Sequence, residues 1–182
     1  MSNICLPMPT AEDARTAFGD DFNPDNTLNG AIALAAAGDL AVPEIALMRA
    51  IFACPAANAR LREAMILRTA VRVNCIYAVH ASTRIAINSG LSKTEVEALS
   101  AEGPVVGISQ EIVLIARMAD DIADRATLGE NLLEAATERW GADNTRKLIL
   151  MLSWFNLVNR YESACRVPND SDEKLARSSG PT

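Results

Sequence analysis

The sequence predicts an all-α protein. Three observations carry this: alanine-rich stretches whose apolar residues recur every three or four positions, the absence of alternating β-branched runs, and capping signals that punctuate the stretches. With 182 residues, 49% of them hydrophobic, the chain can bury one substantial core, and its length asks for one domain.

The first segment, residues 1–30, is rich in the turn formers Pro7, Pro9, Gly19, Pro24 and Gly30 and reads as an arm. A short helix is expected in it after Thr10, which forms a capping pattern with Asp13. Residues 31–168 make up the helical domain. Gly38, Pro43 and Pro55 mark off short helical pieces at 31–37 and 43–53. The clearest helix spans 57–74, where Leu61, Ala64, Met65, Leu67, Ala70 and Val71 leave a narrow polar strip, and Asn74 ends or kinks it.

A second helix is expected over 75–89, with Gly90 placed for a left-handed cap. Ser92 and Glu95 form a capping box for a short helix ending near 103–104. Ser109 can cap an amphipathic helix to about residue 126, with Ile112, Ile115 and Ala119 opposite Arg117, Asp120 and Asp124. Thr127 and Glu130 repeat the capping box ahead of a helix over 132–140, Gly141 closes it, and Asp143 opens a long last helix. The tail, 169–182, is polar and expected to be disordered.

A net charge of -6 with 17 scattered Lys and Arg gives no basic face for nucleic acid. The longest uncharged apolar runs, 31–37 and 148–155, fall short of the roughly 18 residues of a membrane span. The N-terminus lacks the pattern of a secretory signal, so a cytoplasmic protein is expected. Cys5, Cys54, Cys75 and Cys165 lie far apart without a C-x-x-C pair, and His80 is the single histidine. Neither a metal site nor a disulfide framework is expected, and no cofactor.

Three stretches resemble the carboxymuconolactone decarboxylase / alkylhydroperoxidase-D-like family. They are Arg62-Glu63-Ala64-Met65-Ile66-Leu67-Arg68, then Asn74-Cys75-Ile76-Tyr77 with Gly90-Leu91-Ser92, and finally 128–159 with Trp140-Gly141 and Trp154-Phe155-Asn156. Together they cover roughly 45–168. The resemblance implies a helical fold that assembles into dimers, trimers or hexamers, with a small-molecule pocket near the helices bearing Glu63 and Cys75. In the family's peroxidases a C-x-x-C-x-x-x-H stripe faces a glutamate. Here Glu63 and Cys75 remain, but Ala78 stands at the second cysteine and Ser82 at the histidine. A C-x-x-C peroxidase cycle, which needs a neighbouring thiol to resolve the sulfenic acid, is excluded.

Five residues are candidates for catalysis. Glu63 lies on an otherwise apolar helix, where burial raises a carboxyl's pKa and suits it to proton transfer; the alternative is a structural ion pair with Arg60 or another arginine. Cys75 opens its helix, where the helix dipole favours thiolate and burial opposes it. Tyr77 is a pocket wall or a hydrogen-bond donor. At about 100° per residue His80 points about 140° away from Cys75, whereas Ser82 returns within about 20°; His80 is a surface or interface residue, or reaches a pocket between subunits. Candidates for substrate contact are Arg68 and Arg72, which need acidic partners or a bound anion, together with Asn74, Ala78 and Asn156.

The residue set supports a cofactor-free enzyme doing lyase- or isomerase-type proton transfer on a small organic, carboxylate-bearing molecule. The alternatives are a single-cysteine thiol peroxidase using Cys75 with an external thiol or Cys54, and a non-catalytic oligomeric binding protein.

Overall fold

A computed structural model describes residues 6–178, which form helices and connecting turns with no strand among them. The α-helices are α1 (Ala11–Phe18), α2 (Asn29–Leu34), α3 (Ala41–Phe52), α4 (Ala59–Arg72), α5 (Ile76–Asn88), α6 (Lys93–Ser100), α7 (Gln110–Arg125), α8 (Glu130–Cys165) and α9 (Asp172–Ser178).

Local chemistry explains several helix ends. Thr10 and Asp13 form a reciprocal capping box at α1, and Ser92 and Glu95 do the same at α6. Asn58 caps α4 by accepting from the Leu61 amide at 2.8 Å. At the other end of α4, Asn74 adopts the left-handed conformation (φ 56°) while the Cys75 amide reaches back to the Ala70 carbonyl at 2.9 Å. Gly90 (φ 97°) ends α5 in the same way, with the Leu91 amide on Ala86. The helix after Gly129 starts differently from expectation. Gly129 itself is the N-cap and the Thr127 hydroxyl turns to the Leu128 carbonyl, so no capping box forms there. Gly141 (φ 77°, ψ 158°) breaks α8 into two helical runs.

Helix α4 is the centre of the fold and packs against α5, α6, α7 and α8. Its Ala64, Met65 and Leu67 are fully enclosed among Leu99, Ile112, Ile115, Leu148 and Leu152, while Ala70 packs with Cys75, Tyr77 and Ala78. Truncating one of the large members is worth about 2–5 kcal/mol. The arm joins the body through Ala14 and Phe18, which pack on Ala35 and Ile45.

The tail corrects the sequence expectation. Residues 172–178 form α9, Leu175 is fully buried, and Asp170 just before it is buried as well. Asp170 accepts from the Asn29 amide at 3.1 Å and pairs with Lys174 at 3.0 Å, which ties the tail to α2. Tertiary contacts thereby order a polar segment that composition alone reads as disordered. Residues 179–182 and Cys5 lie outside the described residues. No helix among those described is long and apolar enough to cross a membrane.

Candidate functional site

The cavity that gathers the buried Glu63, Ser82, Asn159 and Glu162 has a volume of about 700 Å³ and lies between α2, α4, α5 and the second run of α8. Helical periodicity decides who faces it. From α4 come Arg62, Glu63 and Ile66; from α5, Tyr77, Ala78 and Ser82; from α8, Trp154, Phe155, Asn159 and Glu162. Its position is pinned from outside: Trp154 Nε1 donates to Glu44 at 2.7 Å, and the Tyr161 hydroxyl donates to the Ala33 carbonyl at 2.9 Å.

Glu63 is 5% exposed and makes no hydrogen bond among the described residues. Burial raises its pKa to about 7, and the neighbouring Arg62 charge pulls only weakly the other way. The ion pair with Arg60 does not form, because Arg60 is taken by Glu95. Glu162, on the α8 wall, is pushed up to about 8 by burial; the Cys75 thiol 3.9 Å away lowers it, and nearby Asp170 raises it. Two carboxyls that change charge near neutrality thus border one largely apolar cavity. The Ser82 hydroxyl lines the same cavity and has no side-chain partner among the described residues.

Tyr77 is a wall whose hydroxyl is already engaged. It donates to Asp170 at 2.8 Å and accepts from the Gly30 amide at 2.7 Å. Burial, followed by the Asp170 charge, holds the phenol far above its ordinary pKa. Gly30 is required here by close approach: a Cβ would lie 2.1 Å from Glu162 Oε1 and 2.7 Å from the Tyr77 ring.

Cys75 sits behind this wall, fully buried and not lining the cavity. Burial pushes its thiol up to about 11; the Ala78 amide at the start of α5 opposes the rise and Glu162 adds to it. The helix dipole therefore loses to desolvation, and the resting group is a thiol.

The remaining candidates lie elsewhere. Arg68 is 1% exposed and uses its five donors on Asp120, twice, and on the carbonyls of Leu99, Ala101 and Gly103. It has none left for a substrate. Arg72 pairs with Asp124 and donates to the Glu102 carbonyl. The acidic partners these arginines needed are residues of α7, so neither faces the cavity. Asn74 is an exposed helix-ending residue, and His80 is half-buried on α5 outside the cavity. Asn156 borders a separate shallow cleft with Leu128, Leu133 and Leu157, where its Oδ1 accepts from Arg160 at 2.6 Å.

No family model, curated protein or solved structure matches this chain. The chemistry of the site rests on its side chains. Arg62, Asn159 and Glu162 are the cavity residues that motif reasoning missed. The signal available for two of them was the stripe Phe155, Asn159, Glu162, which places polar residues on an apolar face of α8 at spacings of four and three. Among the described residues no group of three or more His, Cys, Asp or Glu is gathered to hold a metal ion. The arrangement offers a base, an acid and neutral hydrogen-bond donors inside a shielded, mostly apolar space.

Proposed function

We propose that the protein is a cofactor-free enzyme that moves a proton on a small organic molecule, in a lyase- or isomerase-type reaction. One observation carries the reading: Glu63 is buried on the cavity wall without a hydrogen-bond partner and changes charge near pH 7. A base is most useful when its pKa lies near the working pH. As carboxylate, Glu63 takes a proton from a carbon next to a carbonyl. The electron pair moves to the carbonyl oxygen, which Glu162 protonates from its neutral form; Glu63 then gives a proton back to carbon as the O–H proton returns to Glu162, which completes an isomerisation and restores both carboxyls. Burial raises both carboxyls into the neutral range, where each can give or take a proton. Ser82 supports the oxygen, and Tyr77 holds the wall.

The thiol reading has less support, because Cys75 stands outside the cavity with its pKa raised. The motif resemblance favours a carboxymuconolactone decarboxylase-like fold whose redox stripe is replaced by Ala78 and Ser82, and with it a homo-oligomer. The exposed Leu133, Leu150 and Leu157 of α8 offer such an assembly an apolar face. A monomer by light scattering at micromolar concentration contradicts the assembly.

The catalytic reading is tested by infrared difference titration of wild type against Glu63→Gln. A carboxyl titrating near 7 and lost in the variant is expected; a midpoint below about 5 removes the base. In heavy water, a panel of carbonyl compounds should exchange deuterium about 10²-fold more slowly with the variant.

A further inference from the structure

Two residues of the cavity lining each carry a hydrogen-bond donor that no described residue satisfies. Arg62 Nε and Asn159 Nδ2 are both shielded from solvent, and neither has a partner among the described residues. Both residues line the cavity, Arg62 from α4 and Asn159 from α8. Asn159 is 3% exposed, so solvent does not substitute for the missing acceptor. Arg62 is fixed rather than loose: Nη1 donates to the Phe52 carbonyl at 3.0 Å, and the guanidinium lies 4.8 Å from the centre of the Phe52 ring. It is also the one basic side chain among the described residues of the lining. The rest of the wall is dominated by apolar groups such as Leu34, Met48, Ile66, Ile85 and Phe155.

An anchored guanidinium at one place, an unsatisfied amide at another and an apolar volume between the helices describe a ligand by its chemistry. We infer that the cavity takes an organic monocarboxylate with an apolar body and an internal carbonyl, its carboxylate paired with Arg62 and its carbonyl oxygen accepting from Asn159. The inference rests on the proton-transfer reading for the role of the carbonyl, which is the group Glu63 needs beside it.

The test uses one chain length with different heads: decanoate, decanol, decylamine and 5-oxodecanoate, followed by the fluorescence of Trp154, which lines the cavity. Decanoate is expected to bind at least tenfold more tightly than decanol, and decylamine more weakly than either. Arg62→Gln should bring decanoate down to decanol and leave decanol unchanged, while Arg62→Lys keeps part of the preference. 5-Oxodecanoate should bind more tightly than decanoate to wild type and equally to Asn159→Leu. Equal binding of decanoate and decanol to wild type, or no binding of any probe at millimolar concentration, overturns the site. If Glu63→Gln still prefers decanoate while Glu63 in wild type titrates below about 5, the carboxylate site stands and the proton-transfer reading falls. If Glu63 titrates near 7 and the acid preference is absent, the reverse holds.

Discussion

Helix α4 buries a charged group on each of two sides and treats them in opposite ways. Arg68, 1% exposed, faces α7 with every donor matched, whereas Glu63, 5% exposed, faces the cavity with no hydrogen bond. Burial is nearly the same and the consequence is not. A matched buried charge joins α4, α7 and the 99–103 turn into one unit; an unmatched one is displaced in pKa. Partnering, more than burial, separates the two sides of α4.

The sharpest way to break the comparison is Arg68→Met. It leaves Asp120 with only the longer Arg72 contact at 3.7 Å and strands three carbonyls, so unfolding in denaturant should show a loss of about 3–5 kcal/mol. A loss under about 1 kcal/mol would mean that the network is not structural.

Glu63→Gln should act in the opposite direction. Folded Glu63 and Glu162 hold protons more tightly than an ordinary glutamate near 4.5, so wild-type stability falls as pH rises from about 4.5 towards 7 for Glu63 and 8 for Glu162. Removing the ionisable group should leave stability at pH 4 little changed and raise it by about 2–3 kcal/mol at pH 8. Thermal melts across pH 4–8 check this, and parallel curves for the two proteins would refute it.

Gly30→Ala sharpens the comparison on the other wall. A methyl group colliding with Glu162 should cost about 1–3 kcal/mol and weaken binding in the cavity, both read by melting and Trp154 fluorescence. The smallest effect belongs to Asn156→Ala. Its single side-chain bond is to exposed Arg160, so a change within about 0.5 kcal/mol and unaltered cavity binding are expected.

What the sequence made legible was local. The Thr10 and Ser92 capping boxes, the left-handed Gly90 and the break at Gly141 follow from neighbouring residues alone, and the structure has them. The stripe Ala78, Ser82 and the isolated Glu63 could be placed on their helix faces by counting. Other features depend on what another helix brings. Cys75 could not be assigned a protonation state without knowing that Glu162 and the α8 wall enclose it. The arginines of α4 looked available until Asp120 and Asp124 came across from α7. Asn156, three residues from Asn159 on the same helix, shows how a motif can indicate a helix and miss the side that matters. The ordered tail was invisible because its anchor, Asp170 on Asn29 and Tyr77, joins segments remote in sequence.

That anchor sets the order in which the molecule can be finished. The bond from the Asn29 amide to Asp170 spans 141 positions, and the wall opposite α4 is made by α2 near one terminus and by α8 with its following strap near the other. A chain emerging from the ribosome has α2, α4 and α5 in place while the segment that encloses Glu63 is still being added. Until residues 154–178 arrive, an apolar trough stands open along α4 and α5, and the short α2 has nothing to hold it. Closure of so distant a contact is slow relative to helix formation, so the late step of folding is also the step that dries the cavity and sets the Glu63 pKa. The cavity is closed only when α2 and the segment after α8 meet.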